Sequence, residues 1–358
     1  MPLPAPLSLA PLSPVPLTPV LSSRQRGFAV LKVLLSLLLV AGLGGGAAWW
    51  WSGQPLVLPA GTQSLNLVLP AGSSARSAAN AVVKAGVDTR PALLYWYFRL
   101  SGKSGGLKTG TYEIEEGDTP QKLLAKLYNG LQSLRTVTIV EGWNIRQMRA
   151  ALAKAEHLKP DTQGLSNEAM MAKIGKPGLH PEGRFFPETY SYAKGSSDVV
   201  VLQAAARAMD KQLAAAWDAR SSTITLKTPD QALTLASIIE KETGKPTDRP
   251  EIGGVFNNRL RIGMLLQTDP SVIYGMGESY QGNIGRKGLQ TDTPYNTYTR
   301  AGLPPTPISM PGKAALLAAV QPADTKALYF VARGDGTSQF SATLTEHNNA
   351  VNKYIRGQ

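Results

Sequence analysis

The chain has 358 residues, 43% of them hydrophobic, enough to bury a sizeable core and to form two or three domains. It contains no cysteine, and its three histidines, His157, His180 and His347, are far apart, which excludes disulfides and thiolate chemistry and argues against a histidine-rich metal site. No cofactor is expected. The formal charge of +12 at pH 7 invites a nucleic-acid partner, but no run of Lys and Arg alternates with aromatics as such a groove requires. A basic surface suits an anionic polymer or membrane headgroups equally well.

Residues 1 to 27 read as a tail, uncharged up to Ser23 and dominated by Pro, Leu, Ser and Ala, a composition that builds no core. Residues 28 to 51 read as a transmembrane helix. Within it Val33 to Trp51 runs 19 residues without a charge, and a bilayer-spanning helix needs about 20. Trp49, Trp50 and Trp51 stand where an interfacial aromatic belt belongs. A cleaved signal peptide is the alternative, but the long tail ahead of the basic residues and the Trp cluster favour a retained anchor. Arg24, Arg26 and Lys32 precede the span and the next basic residue is Arg76, so the N-terminus is expected in the cytoplasm and the rest outside it. Gly42 and Gly46 form a GxxxG, read here as small-residue filler.

Residues 52 to 135 form an N-terminal α+β region. SLNLVL alternates as a strand does, Ser73 to Ala85 and Ala92 to Leu100 read as helices, and the strand Gly110 to Ile114 turns through Gly117-Asp118 into a helix from Pro120 capped by Thr119. That strand-turn-helix unit resembles half of a LysM module, a family that binds chitin-like and peptidoglycan sugars. A second unit follows, with the strand Leu134 to Val140 and a helix from Ile145 to Ala155.

Residues 136 to 358 form the larger domain. PEGRFFPETYSY gathers aromatics around Pro187, either as core or, through Glu182, Glu188, Thr189 and Tyr190, as the wall of a sugar groove. Val199 to Ala219 is an amphipathic helix. The next helix begins with Thr228 as cap, Pro229 at the first helical position and Gln231 completing a capping box, and it closes at Gly244 and Pro246. At about 100° per residue, Ala232, Leu235, Ala236 and Ile239 share one stripe, with Thr234, Ser237 and Lys241 opposite, so one side is expected to face a core. Glu240 and Glu242 flank that stripe. A carboxyl at a core boundary is a candidate acid, because desolvation disfavours its charged form; periodicity does not separate the two. VFNNRLRIGMLLQTDPSVIY then sets Asn257, Asn258, Arg259, Gln267, Thr268 and Asp269 among apolar residues, too many hydrogen-bonding groups for a mere core and suited to a sugar. Tyr295, Asn296, Thr297 and Tyr298, in a proline-rich irregular segment, form loop packing or a ligand wall. A strand at Leu328 to Gly334, a further strand and a C-terminal helix with His347 near its start complete the chain.

ASIIEKET, VFNNRLRIGMLLQTDPSVIYG, PYNTY and GLPPTPISMPG, together with PEGRFFPETY and Glu346-His347, make the sequence similar to the endolytic murein transglycosylase family, the MltG or YceG-like proteins. The resemblance implies an α+β fold with an N-terminal transmembrane helix, a LysM-like βα subdomain and a partly lysozyme-like catalytic domain. It implies an inner-membrane enzyme that cleaves nascent glycan strands between N-acetylmuramic acid and N-acetylglucosamine, leaves 1,6-anhydromuramyl ends and associates with peptidoglycan synthases. Because I-I-E-K-E-T resembles the pattern in which the catalytic Glu precedes a small hydroxyl residue, here Thr243, Glu242 is the expected acid and Glu240 the runner-up. Gln267, Thr268 and Asp269 are expected to hold the sugar, with Tyr295, Asn296, Asn258, Glu188 and Tyr190 as further substrate contacts. Thr306 departs from the glycine expected in GLPPTPI. The competing readings are a membrane-anchored peptidoglycan binder without catalysis and a muramidase that uses Asp269 as a second carboxylate; a nucleic-acid role ranks behind both.

Overall fold

The first element is a helix of 30 residues, α1 (Ser23–Ser52), in a computed structural model that describes residues 23–243 and 245–358. The tail up to residue 22 and the glycine expected to close the central helix, Gly244, lie outside the described residues. From Leu31 to Ser52, α1 has 22 residues, and an 18-residue stretch within them has a mean hydropathy of 1.9 and no buried residue. At 1.5 Å per residue the whole segment is about 33 Å, against about 30 Å for a bilayer's hydrocarbon core. The helix is therefore long and apolar enough to cross a membrane.

The chain divides into two compact units, the first ending at Leu131 and the second covering Gln132–Gln358. In the first, α1 is followed by β1 (Ser64–Leu69), α2 (Ala75–Lys84), α3 (Pro91–Leu100), β2 (Gly110–Glu115) and α4 (Pro120–Asn129). The partner of β2 is β1, antiparallel and with Leu67 opposite Tyr112, so two helices lie between paired strands. Alternation along β1 buries Leu67 and Leu69 against Val82, Leu94, Phe98 and Ile114. The Thr119 cap read from sequence is present, its Oγ1 accepting the Lys122 N–H at 3.1 Å, and Ser74 Oγ caps α2 by accepting the Ser77 N–H at 3.2 Å.

The second unit begins with β3 (Leu134–Thr138), α5 (Ile145–Lys154), α6 (Asn167–Lys173), β4 (Thr189–Ala193) and α7 (Asp198–Asp218). A domain boundary after residue 135 cuts into β3. β3 pairs antiparallel with β4, Val137 opposite Tyr190, and the sheet shares a core with Met148, Phe185, Leu202 and Met310. Next come α8 (Pro229–Glu242), α9 (Arg249–Arg261), α10 (Asp269–Met276), α11 (Gly285–Gln290) and α12 (Lys313–Val320), and then the antiparallel pair β5 (Tyr329–Ala332) and β6 (Ser338–Ser341) and the helix α13 (Leu344–Val351). His347 in α13 stacks on Tyr329, ring centroids 5.1 Å apart, which is a packing role.

Helix α8 lies at the centre of this unit's larger core. Thr228 caps it through the Gln231 N–H at 3.2 Å, with Pro229 opening the first turn. The Gln231 side chain reaches one residue further back than a capping box requires and accepts the Lys227 N–H at 2.6 Å. The expectation of one buried side is corrected, because every residue from Ala232 to Ile239 is buried. The polar side chains survive inside because the fold satisfies them: Thr234 Oγ1 donates to the Asp230 carbonyl, and Ser237 Oγ donates to the Thr234 carbonyl and accepts the Ile308 N–H. Leu233, Leu235, Ile238 and Ile239 are fully buried, each contributing about 2 kcal/mol. Helix α9 closes on α12 at Gly253, where a Cβ would stand 2.2 Å from the Ala318 carbonyl oxygen, so only glycine permits that approach.

Candidate active site

The last turn of α8 presents two carboxyl groups, and their surroundings differ. Glu240 sits in a polar junction: its Oε1 accepts Arg249 Nη2 at 2.8 Å and its Oε2 accepts the Gly312 N–H at 2.9 Å. Its side chain is 4% exposed and that of Arg249 10%, with Glu141 at 3.9 Å from the same guanidinium nitrogen. Burial raises the Glu240 pKa, while the Gly312 N–H and Arg249 oppose it. With a donor on each oxygen, this arrangement suits the charged form. A Cβ at Gly312 would come within 1.8 Å of the Glu141 carboxylate, so any larger residue there displaces that half-exposed side chain.

Glu242, two residues further on, has no ion pair among the described residues. Its Oε1 accepts a hydrogen bond from Thr268 Oγ1, and part of the residue stays open to solvent. Burial of the carboxyl pushes its pKa from 4.5 up to about 7, with the charge of Asp269 acting in the same direction and Thr268 and Arg259 opposing. At neutral pH this group is therefore divided between acid and carboxylate, the condition a group needs to give a proton and take one back.

Thr268 is held from both sides of its peptide unit. Its N–H donates to Thr297 Oγ1 at 3.0 Å and its carbonyl accepts Ser271 Oγ at 2.8 Å. Gln267, just before it, has φ +50° and donates its N–H to the Thr297 carbonyl at 3.1 Å. A non-glycine residue in this left-handed region stores strain, and here it stores it beside the buried carboxyl. Asp269 opens α10, exposed, and its Oδ1 accepts the Tyr298 hydroxyl at 2.5 Å. Burial raises the Tyr298 pKa, so that hydroxyl remains a donor.

The other predicted contacts are placed differently. Asn258 Nδ2 donates to the carbonyls of Thr325 and Ala327, and Asn257 Nδ2 to those of Gly253 and Ala319. Arg259 donates to the carbonyls of Leu328 and Leu266, both at 2.7 Å. The inference that these polar groups require a sugar is thus corrected: carbonyls of irregular loops, and of α9 and α12 themselves, are met by buried amides and a guanidinium group. Asn296 is 1% exposed and donates to the carbonyls of Gly288, Leu289 and Thr291, which fixes its loop from within. Tyr295 stacks edge-on against Tyr274 at 4.9 Å, and its hydroxyl bonds Thr306, giving the residue that departs from the expected glycine a partner. Tyr190 lies in β4, its hydroxyl donating to the Phe186 carbonyl, and Glu188 is exposed just before that strand.

Sequence reading left Tyr298 as one of four loop residues and gave Glu182 no catalytic weight. Glu182 is wholly buried, accepts the Ile145 N–H at the start of α5 and the Tyr274 hydroxyl, and is pushed by burial up to about 7. With no exposed surface, it cannot meet a polymer. Of Glu182, Glu240 and Glu242, only Glu242 combines a raised pKa, the lack of an ion pair among the described residues and a residue partly open to solvent.

The YceG-like family model matches residues 67–353. An endolytic murein transglycosylase of Bacillus subtilis is 32% identical over 311 residues, covering 82% of this chain and 85% of that protein. One of Streptococcus pneumoniae is 27% identical over 325 residues, which cover 81% of this chain but only 58% of the longer relative. The crystal structure of a yceG-like protein from Listeria monocytogenes matches with a TM-score of 0.51 at 30% identity, covering 80% of this chain and 98% of that one. With its family match running from β1 into the C-terminal helix, the chain belongs to the YceG-like family.

Proposed function

We propose that the protein is an endolytic peptidoglycan lytic transglycosylase, with Glu242 as its single acid and base. The observation that carries this reading is a buried carboxyl with no ion pair among the described residues, its pKa pushed up to about 7, held by the Thr268 hydroxyl in a residue part of which stays open to solvent. The names of the relatives support the substrate: murein, cut within the strand. Glu242 donates its proton to the oxygen that links C1 of N-acetylmuramic acid to N-acetylglucosamine as that bond breaks. The 6-hydroxyl of the same muramyl residue attacks C1, and its proton returns to the Glu242 carboxylate. No water is consumed, and the product ends in a 1,6-anhydro ring. Intramolecular attack gains from a nucleophile already held near its target.

Thr268 orients the carboxyl, and Gln267 and Asp269 flank it at the exposed edge where sugar hydroxyls would meet them. Asp269 also favours a second reading, a two-carboxylate muramidase, because its charge already acts on Glu242. In either case α1 anchors the chain, with the basic N-terminal segment in the cytoplasm and the rest of the first unit and the whole second unit outside the inner membrane, in reach of peptidoglycan synthases; the 22-residue apolar stretch and the basic residues ahead of it support this topology. The strand-turn-helix unit β2-α4 of the first unit serves as a LysM-like sugar-binding element. Mass analysis of products from purified sacculi separates the readings: anhydro ends support transglycosylation, reducing ends support the muramidase, and absence of cleavage leaves a tethered binder.

A further inference from the structure

Helix α3 buries Leu94 and Phe98 in the core of the first unit and turns three large apolar residues the other way. Leu93, Trp96 and Leu100, at helical positions i, i+3 and i+7, are 48%, 56% and 79% exposed. They share their surroundings with the far end of α1, where Trp49 is 77% and Trp50 65% exposed. The two helices are fixed to one another: Trp51 meets Tyr97 edge-on at 6.1 Å, and Ser52 is buried. Between them runs a groove of about 600 Å³, lined by Gly44, Ala48 and Trp49 on the α1 side and by Leu93, Trp96 and Leu100 on the α3 side. Gly44 lies eight residues before Ser52, so the groove reaches about 12 Å back along the apolar helix.

We propose that α3 is a second membrane contact, seated in the headgroup and acyl boundary of the leaflet where α1 emerges, with lipid filling the groove between them. The occupant follows from continuity. A groove whose one wall is the last two turns of a membrane-crossing helix is at the depth of lipid, and the stripe on its other wall lies at the same level. Trp at this level is the residue membrane interfaces favour, and an interfacial helix sinks its apolar face by about 5–10 Å. Charge agrees: between Arg76 and Lys108 the only acid is Asp88, against Arg76, Lys84, Arg90, Arg99, Lys103 and Lys108. Exposed Arg90 and Arg99 flank the stripe within reach of anionic headgroups. The consequence is functional, because a first unit held to the membrane by two contacts has a fixed attitude, whereas one hung from a single span swivels. The proposal rests on the membrane reading of α1.

The chain has no cysteine, so single-cysteine variants need no background changes. The full-length protein is placed in nanodiscs of phosphatidylethanolamine and phosphatidylglycerol, with spin labels on Leu93→Cys, Trp96→Cys and Leu100→Cys. Leu38→Cys in mid-span and Lys84→Cys at the end of α2 serve as references. Collision rates with oxygen and with a water-soluble nickel chelate are then compared. Labels on the stripe are expected to favour oxygen over nickel several-fold, as Leu38→Cys does, while Lys84→Cys shows the reverse. The proposal is overturned if the stripe is as open to nickel as Lys84→Cys while Leu38→Cys is shielded. Dipolar broadening between labels on the stripe would assign the face to a second copy and overturn it equally. Nickel access at Leu38→Cys would remove the membrane reading itself, and the proposal with it.

Discussion

Glu240 and Glu242 stand two residues apart at the end of one helix, both withdrawn from water, and differ in what waits for them. Glu240 meets a guanidinium at 2.8 Å and a backbone N–H at 2.9 Å, and becomes part of the junction between α8, the start of α9 and the loop before α12. Glu242 meets one hydroxyl. Burial alone therefore does not make an acid; a buried carboxyl with a cation serves as structure, and one without keeps its proton into the neutral range.

The largest test of that contrast is Glu242→Gln, which is expected to lower formation of anhydro products by about 10³-fold while leaving a folded protein whose melting temperature is not below that of the wild type. The same substitution reports on linkage. The folded protein retains the Glu242 proton between 4.5 and about 7, where the unfolded chain has released it, so stability falls as pH rises across that window and the variant loses part of that slope. Glu240→Gln should do the opposite in kind. It leaves Arg249 buried without its 2.8 Å counterion and costs about 3 kcal/mol of stability, read by denaturant titration, while each folded molecule still makes anhydro ends. Loss of anhydro ends in folded Glu240→Gln, with activity kept in Glu242→Gln, would reverse the two roles.

Smaller effects sharpen the account of how Glu242 is held. Thr268→Val removes a hydrogen bond that favours the carboxylate, so the pKa of Glu242 should rise and the alkaline limb of kcat/KM should move to higher pH. Loss of orientation is expected to lower kcat about tenfold. Tyr298→Phe frees Asp269 from its 2.5 Å donor, and a loss of only about two- to fivefold is expected, seen chiefly in KM if Asp269 holds sugar. A loss as large as that of Glu242→Gln would instead favour Asp269 as a second catalytic carboxylate, with reducing ends among the products.

What the sequence made legible follows the range of the interactions. The start of α8 was readable because a Thr cap and a first-turn Pro act within four residues, the strand Ser64–Leu69 from alternation, and the strand Gly110 to Ile114, which ends one residue later, from the turn that follows it. Their pairing was not, since nothing local in β2 names a partner beyond two intervening helices. The complete burial of α8 was hidden because Thr234 and Ser237 look like a wet face until the carbonyls and N–H groups that satisfy them are known. Asn258 and Asn296 were read as sugar ligands for a related reason: an amide donor is equally suited to a sugar oxygen and a loop carbonyl, and only the fold shows that the carbonyls are there. Tyr298 escaped selection because its contact with Asp269 spans 29 residues and leaves no periodic mark. The choice between Glu240 and Glu242, open to helical geometry, turns on Arg249, a residue one helix further on.

The most direct measurement is the protonation state of Glu242 itself, by infrared difference spectra of the wild type against Glu242→Gln and against Glu240→Gln, titrated from about pH 5 to about pH 9. The account predicts a protonated-carboxyl band that is missing in Glu242→Gln, present in Glu240→Gln, and lost as pH rises through about 7. A Glu242 already ionised at the acid end of that range, or a band that disappears with Glu240 instead, would contradict it.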